Sequence, residues 1–65
     1  MYQVVTYTYL DQAEVYNCQN ALNLIYQLNY FKEYRTDIVL ILVYELDKET
    51  KRLTERLVLE VKQNG

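Results

Sequence analysis

The sequence predicts a single small α+β domain of β-α-β-β order, spanning residues 1–65, in which a three-stranded sheet carries one long helix on one face. Three observations predict it. The N-terminal stretch is rich in β-branched and aromatic residues, apolar residues then recur at three- and four-residue steps, and two strand-like runs follow with a charged segment between them. A domain of this length buries only about 60% of the surface of its unfolded chain, so its core is small.

The first strand and the start of the helix are predicted from composition and spacing. Tyr2–Tyr9 is almost entirely β-branched or aromatic, which favours a pleated strand. Asp11 is followed three positions later by Glu14, a spacing that fits a capping box at a helix N-terminus. We therefore expect one helix over Ala13–Phe31 and somewhat beyond.

The predicted helix has an apolar stripe that should face the sheet. Lys32 and Arg35 suit a last helical turn because they complement the helix dipole, so we expect the helix to end near Tyr34. The stripe consists of Val15, Cys18, Ala21, Leu22, Ile25 and Leu28, with Leu24 and Phe31 at its edge.

Two antiparallel strands are predicted in the C-terminal half. Ile38–Tyr44 is a continuous apolar run, too short for an independent helix, and we expect it to be the most buried strand. The polar segment Leu46–Arg52 predicts a hairpin loop of four or five residues. In the last strand, Leu53–Val61, apolar and charged residues largely alternate, which is typical of a strand with one solvated face.

Cysteine and histidine counts exclude the usual supports of a small domain. Cys18 is the only cysteine and the chain has no histidine, so we expect neither an intramolecular disulfide nor a zinc site, and no cofactor. Cys18 is expected to be a buried core residue.

The N-terminus lacks the features of a signal peptide, and no apolar run reaches the ~20 residues that span a bilayer. We therefore expect a soluble, cytoplasmic protein without a membrane partner.

The net charge of the chain does not indicate any class of partner. Nine acidic and seven basic side chains give a net charge of -2, too small to attract or imitate a phosphate backbone. The hairpin does gather basic residues, but acidic residues interrupt them, and we expect no nucleic-acid partner. The basic residues are Lys48, Lys51, Arg52 and Arg56, and the acidic ones are Asp47, Glu49 and Glu55.

Catalysis is not expected from this sequence. The chain has no histidine, no nucleophile-elbow motif around a serine and no glycine-rich phosphate loop. Its pattern predicts no pair of carboxylates on one shared face. Asp37 and Glu45 flank the apolar run and are interpreted as solvated carboxylates at the strand ends.

The apolar run predicts a homo-oligomer, most simply a dimer. Both faces of this strand are apolar, whereas a single helix covers only one face of a sheet. We expect the second face to pack on another copy of the chain. The alternative is that Tyr2, Tyr44 and the first strand cover it in the monomer. The predicted oligomer interface consists of Val39, Ile41 and Val43, and the residues of the opposite parity are Ile38, Leu40 and Leu42.

The outer face of the predicted helix is a candidate partner-binding surface. It has no charged residue between Glu14 and Lys32, although surface helices normally expose charge. Interface cores are enriched in aromatic residues and depleted of charge. The alternative is that these tyrosines line the margin between helix and sheet. The predicted partner-binding residues are Tyr16, Gln19, Asn23, Tyr26, Tyr30 and Tyr34.

Two families share parts of this pattern. The β-α-β-β order and the length resemble those of dodecins, flavin-storage proteins that assemble into hollow oligomers, although the tryptophan with which dodecins stack flavin is missing here. Thr36-Asp37-Ile38-Val39 and Tyr44-Glu45 resemble a strand of the phage uracil-DNA glycosylase inhibitor. The Glu-Ser-Ile element of that family has no counterpart in residues 7–10.

These observations predict a small non-catalytic interaction protein. We expect a homo-oligomeric binder or inhibitor of another protein, of the kind carried by phages or mobile elements. The alternative is an oligomeric, dodecin-like protein that binds a small molecule between subunits.

Overall fold

The computed structural model describes residues 1–46, 49 and 53–63. Within them the chain is a small α+β domain with one helix and a four-stranded antiparallel sheet. The element order is β-β-α-β-β, so the predicted β-α-β-β order with three strands, shared with dodecins, is wrong. The elements are β1 (Tyr2–Thr8), β2 (Ala13–Cys18), α1 (Ala21–Tyr34), β3 (Ile38–Leu46) and β4 (Leu53–Lys62).

The additional strand, β2, occupies a segment that the spacing predicted to be helical. A tight turn after β1 returns the chain along it. The amide of Asp11 donates to the Thr8 carbonyl at 2.9 Å, and the amide of Thr8 donates to the Gln12 carbonyl at 2.9 Å. Asp11 has a φ of 59°, a left-handed conformation that aspartate tolerates better than most residues. Asp11 is therefore a turn residue, and the predicted capping box with Glu14 is wrong.

The helix begins at Ala21 and ends at Tyr34, where its end was predicted. Its N-cap is Asn20, whose side-chain oxygen accepts a hydrogen bond from the Asn23 amide at 2.9 Å. At its C-terminus the Arg35 amide donates to the Phe31 carbonyl at 3.0 Å.

The face of α1 that packs on the sheet is narrower than the predicted stripe. Phe31 is fully buried, and Leu24 and Leu28 are half-buried against the core. These residues lie four and three positions apart, on one side of the helix. Leu22 and Ile25 remain 58% and 53% exposed, because they lie on the other sides of the shorter helix.

The strand order in the sheet is β2-β1-β3-β4, and every neighbouring pair is antiparallel. β2 and β3 are consequently parallel to each other, and α1 connects them across β1. The predicted antiparallel pairing of the last two strands is confirmed. The loop predicted between them lies outside the described residues apart from Leu46 and Glu49, and so do Lys48, Lys51 and Arg52.

The core lies between the helix and one face of the sheet. Cys18 is buried there, as predicted, although it belongs to β2 and not to the helix. The cluster consists of Val4, Cys18, Phe31, Ile38, Ile41 and Val43.

The predicted oligomer interface is misplaced on β3. Ile41 and Val43 are 1% and 0% exposed in the core beneath α1, and Val39 is half-buried beside a register shift opposite Tyr7 and Thr8. Both parities of this strand are apolar, so the sequence pattern alone does not identify the face that the helix covers. The register places the following residues on the other face: Val5, Tyr7, Val15, Leu40 and Leu42.

Candidate interaction surface

The structure brings most of the predicted partner-binding residues together. Asn23, Tyr26, Tyr30 and Tyr34 lie on α1 at steps of three and four residues, which places them on adjoining sides of one helix face. The three tyrosines are 65%, 50% and 69% exposed. Gln19 is exposed immediately before the helix N-cap. We call this set, without Tyr16, the tyrosine strip.

Tyr16 does not belong to the strip. It lies on β2 opposite Val4, on the face that α1 covers, and its ring lies 5.1 Å from that of Phe31. The prediction placed it on the outer helix face because residues 13–18 were assigned to the helix. As a strand residue, Tyr16 points under the helix and packs against the core.

An open groove of about 730 Å³ runs between the helix and the end of β2. None of the residues that line it is charged. Three of them were not among the predicted partner-binding residues: Asn17, Gln27 and Cys18, which was predicted to be a core residue. Gln27 is four residues from Asn23 and could have been found from helical spacing, whereas Asn17 could not, because its segment was assigned to the helix. The lining residues are Asn17, Cys18, Gln19, Asn23, Tyr26, Gln27 and Tyr30.

The aromatic side of this surface is held by contacts between rings. Tyr30 lies edge-on to the buried Phe31 with ring centroids 6.2 Å apart, and its other neighbour, Tyr34, lies at 5.3 Å. Aromatic pairs at such distances attract one another beyond their simple burial. Tyr30 therefore presents a half-exposed ring whose position is fixed by a core residue.

A charged cluster lies at the opposite end of the helix from its N-cap. The guanidinium of Arg35 binds Asp37 through Nε at 3.0 Å and Nη2 at 3.1 Å. It binds Glu14 through Nη1 at 3.3 Å and Nη2 at 3.2 Å. The Tyr16 hydroxyl donates to the same Glu14 carboxylate. Arg35 thus joins β2, the end of α1 and the residue that precedes β3.

The cluster changes the pKa values of its members. Hydrogen bonds from Arg35, and then from Tyr16, lower the pKa of Glu14, and those from Arg35 lower the pKa of Asp37. The hydrogen bond to Glu14 raises the pKa of Tyr16, and those to Asp37 and Glu14 raise the pKa of Arg35. All these shifts favour the paired, ionised carboxylates. We interpret the cluster as a structural clamp that fixes the helix over β2.

Residues 1–46, 49 and 53–63 contain no group of three or more histidine, cysteine or acidic side chains placed to hold a metal ion. Over the same ranges, no helix has the length and apolar character needed to cross a bilayer. Burial raises the pKa of the Cys18 thiol.

Comparisons with known proteins found no matching family model, no similar curated protein and no similar solved structure.

Proposed function

We propose that this chain is a small non-catalytic interaction module that binds another polypeptide through the tyrosine strip and the adjoining groove. The observation that carries the proposal is the uncharged groove beside the exposed rings of Tyr26 and Tyr30. Such a module would act as a binder or as an inhibitor that covers a surface of its partner.

The composition of the surface supports this role. From Ala21 to Phe31 the helix carries no charged residue, although exposed helix faces are ordinarily rich in Lys and Glu. Tyrosine offers a large contact area for little loss of side-chain entropy, and its hydroxyl satisfies a polar neighbour. Asn23 and Gln27 add amide donors and acceptors beside the rings. A protein partner can use all of these groups at once.

Paired substitutions on one helix test the proposal. Tyr26→Lys with Tyr30→Lys places two charges in the groove. Ile25→Lys with Asn29→Lys adds the same charges to the opposite flank of α1, where both residues are exposed. With a photo-crosslinking residue at Gln19, the wild type and the flank variant should capture the same polypeptide from the source cells. The groove variant should lose it while remaining folded by circular dichroism, although loss of the Tyr30 ring contacts should lower its thermal unfolding midpoint. Equal capture by all three proteins would refute the proposal.

We also propose that the chain forms a homodimer through the sheet face that the helix leaves uncovered. Val5, Leu40 and Leu42 lie on this face, and Val15 beside them is 58% exposed. The accessible surface of the chain is 4921 Å², against about 4400 Å² expected for a folded monomer of this mass. A second copy packed on this face would cover its apolar side chains and part of the excess total surface.

Light scattering after size-exclusion chromatography tests the dimer. The wild type should have twice the chain mass at micromolar concentration. Leu42→Lys should give a monomer, whereas Ile25→Lys on the exposed helix flank should remain dimeric. A wild-type monomer at high micromolar concentration would rule out this interface.

A further inference from the structure

The two edges of the sheet differ in how well they are protected against pairing with another strand. Edge strands carry unpaired backbone groups, and proteins commonly protect them with charges and bulges. β4 has both, since Arg56, Glu60 and Lys62 lie on it and its pairing with β3 shifts register twice. β2 pairs with β1 without any register shift. Its single charged residue, Glu14, is held by Arg35.

The hydrogen bonds of β1 identify the backbone groups that β2 presents outward. The amide of Thr8 donates to the Gln12 carbonyl, and the Met1 carbonyl accepts from Leu46 of β3. Even-numbered residues of β1 therefore bond to β2, and odd-numbered residues bond to β3, because an antiparallel ladder alternates. In the register of β1 with β2, the backbone amides and carbonyls of the odd-numbered residues of β2 therefore face outward from the edge of the sheet. They are Ala13, Val15 and Asn17, and none of the described residues forms a backbone hydrogen bond with them.

The groove meets this edge at the C-terminal end of β2. Asn17 and Cys18 belong to β2, whereas Asn23, Gln27 and Tyr30 belong to the flank of α1 beside it. A chain placed in the groove would therefore meet backbone donors and acceptors on one side and tyrosine and amide side chains on the other. Backbone groups arranged at strand spacing fit an extended polypeptide better than a helix.

We propose that an extended segment of the partner polypeptide adds to the outer edge of β2 as a fifth strand, beneath the tyrosine strip. This inference rests on the proposed function and specifies its partner. The six residues of β2 span about 20 Å, which matches an extended segment of about six residues. The segment is uncharged where it enters the groove, because no lining residue is available to pair with a buried charge.

Alternation along the added strand divides its side chains between two environments. Alternate residues face Gln27 and Tyr30, which accept polar and aromatic neighbours. The intervening residues lie beside Val15 and extend the apolar row that Val15 forms with Val5 and Leu42. β-branched residues suit these intervening positions.

The probe for this proposal is a displayed library of random peptides of about eight residues, selected on the wild-type chain and counter-selected on the Tyr26→Lys, Tyr30→Lys variant. Synthetic copies of the enriched peptides are then N-methylated one residue at a time. Methylation should weaken binding at every second residue by at least about tenfold, because only alternate amides face β2. This measurement uses the unmodified protein.

A chemically synthesised chain with N-methyl-Val15 provides the complementary test. The Val15 amide points outward, so the fold should be retained, and the peptides should bind at least about tenfold more weakly than to the unmethylated synthetic chain. Peptides that depend on Tyr26 and Tyr30 but tolerate methylation everywhere would overturn strand addition and leave the proposed function standing. Failure to enrich any such peptide would also overturn strand addition, whereas the capture experiment decides the proposed function separately. Loss of self-association on methylation would show that a second copy occupies the edge, which also contradicts the proposal.

Discussion

Arg35 and Glu14, 21 residues apart in the sequence, form a two-point ion pair in which Nη1 and Nη2 each donate to a carboxylate oxygen, at 3.3 and 3.2 Å. The pair joins the C-terminus of α1 to β2. Because Arg35 also binds Asp37, it fixes the direction in which the chain leaves the helix for β3. The tyrosine strip and the β2 edge keep their relative position through this connection, so the clamp matters for the surface that we propose to bind a partner.

Removing the arginine should destabilise the fold. Arg35→Ala leaves Glu14 and Asp37 as neighbouring carboxylates without their shared cation, and the thermal unfolding midpoint should fall. Arg56→Ala is the control, because its contact with Glu45 is longer, at 3.7 Å, and its side chain is 74% exposed. Thermal unfolding followed by circular dichroism should show the larger fall for Arg35→Ala. Equal shifts in the two variants would contradict the clamp.

The same pair makes stability depend on pH in the acidic range. The pKa values of Glu14 and Asp37 are lowered in the folded state, so the unfolded chain takes up protons more readily. The stabilisation that these two carboxylates contribute should therefore be complete above the ordinary carboxyl range, near pH 4–5. It should be lost as the pH falls through their lowered folded-state pKa values. Urea unfolding between these limits measures it. Arg35→Ala should show a shallower slope, and an unchanged slope would refute the assignment.

Tyr16 should make the free energy of unfolding depend on pH in the alkaline range as well. Its hydroxyl donates to Glu14, which raises its pKa, so the stabilisation is present below about pH 10 and is lost as the pH rises through the folded-state value. Tyr16→Phe should remove this part of the slope and retain the ring contact with Phe31. Urea unfolding of both proteins from neutral pH to above pH 10 provides the comparison. Parallel curves would show that Tyr16 does not contribute.

The sequence predicted those elements whose pattern has one interpretation. Ile38–Tyr44 is apolar throughout and too short for an independent helix, and the alternation after Leu53 indicates a strand, so the antiparallel pair β3 and β4 followed. The end of α1 near Tyr34 followed from Lys32 and Arg35. The strip residues on α1 share one helix face, as their spacing of three and four residues predicted, and their role in binding stays a prediction.

The errors over residues 11–20 have one physical source. Val15 and Cys18 are three residues apart, which fits a helical stripe, but β2 places them on opposite faces of a strand. Glu14 follows Asp11 at capping-box spacing, yet Asn20 with Asn23 provides the actual cap. Local spacing did not separate these possibilities, and the pairing of β2 with β1, a tertiary interaction, decides between them.

The observed cap can be tested against another asparagine of the same helix. Asn20→Ala removes the acceptor of the Asn23 amide and should lower the free energy of unfolding by about 1 kcal/mol. Asn29→Ala, at an exposed position within α1, should have no effect or raise stability by a few tenths of a kcal/mol, since alanine favours helices. Urea unfolding at neutral pH measures both. If the two substitutions cost the same, Asn20 does not cap the helix.

Two buried threonines on β1 should respond in opposite directions to the same substitution. The Oγ1 of Thr6, at 0% exposure, has no hydrogen-bond partner among the described residues. Val has nearly the same shape, so Thr6→Val should stabilise the domain by about 1 kcal/mol. Thr8 Oγ1 accepts from the amides of Leu10 and Gln12 at 3.3 and 3.2 Å, and Thr8→Val should therefore cost about 1–2 kcal/mol by opening the turn into β2. Urea unfolding of the two variants measures the difference, and a loss of stability in Thr6→Val would mean that its hydroxyl is satisfied in solution.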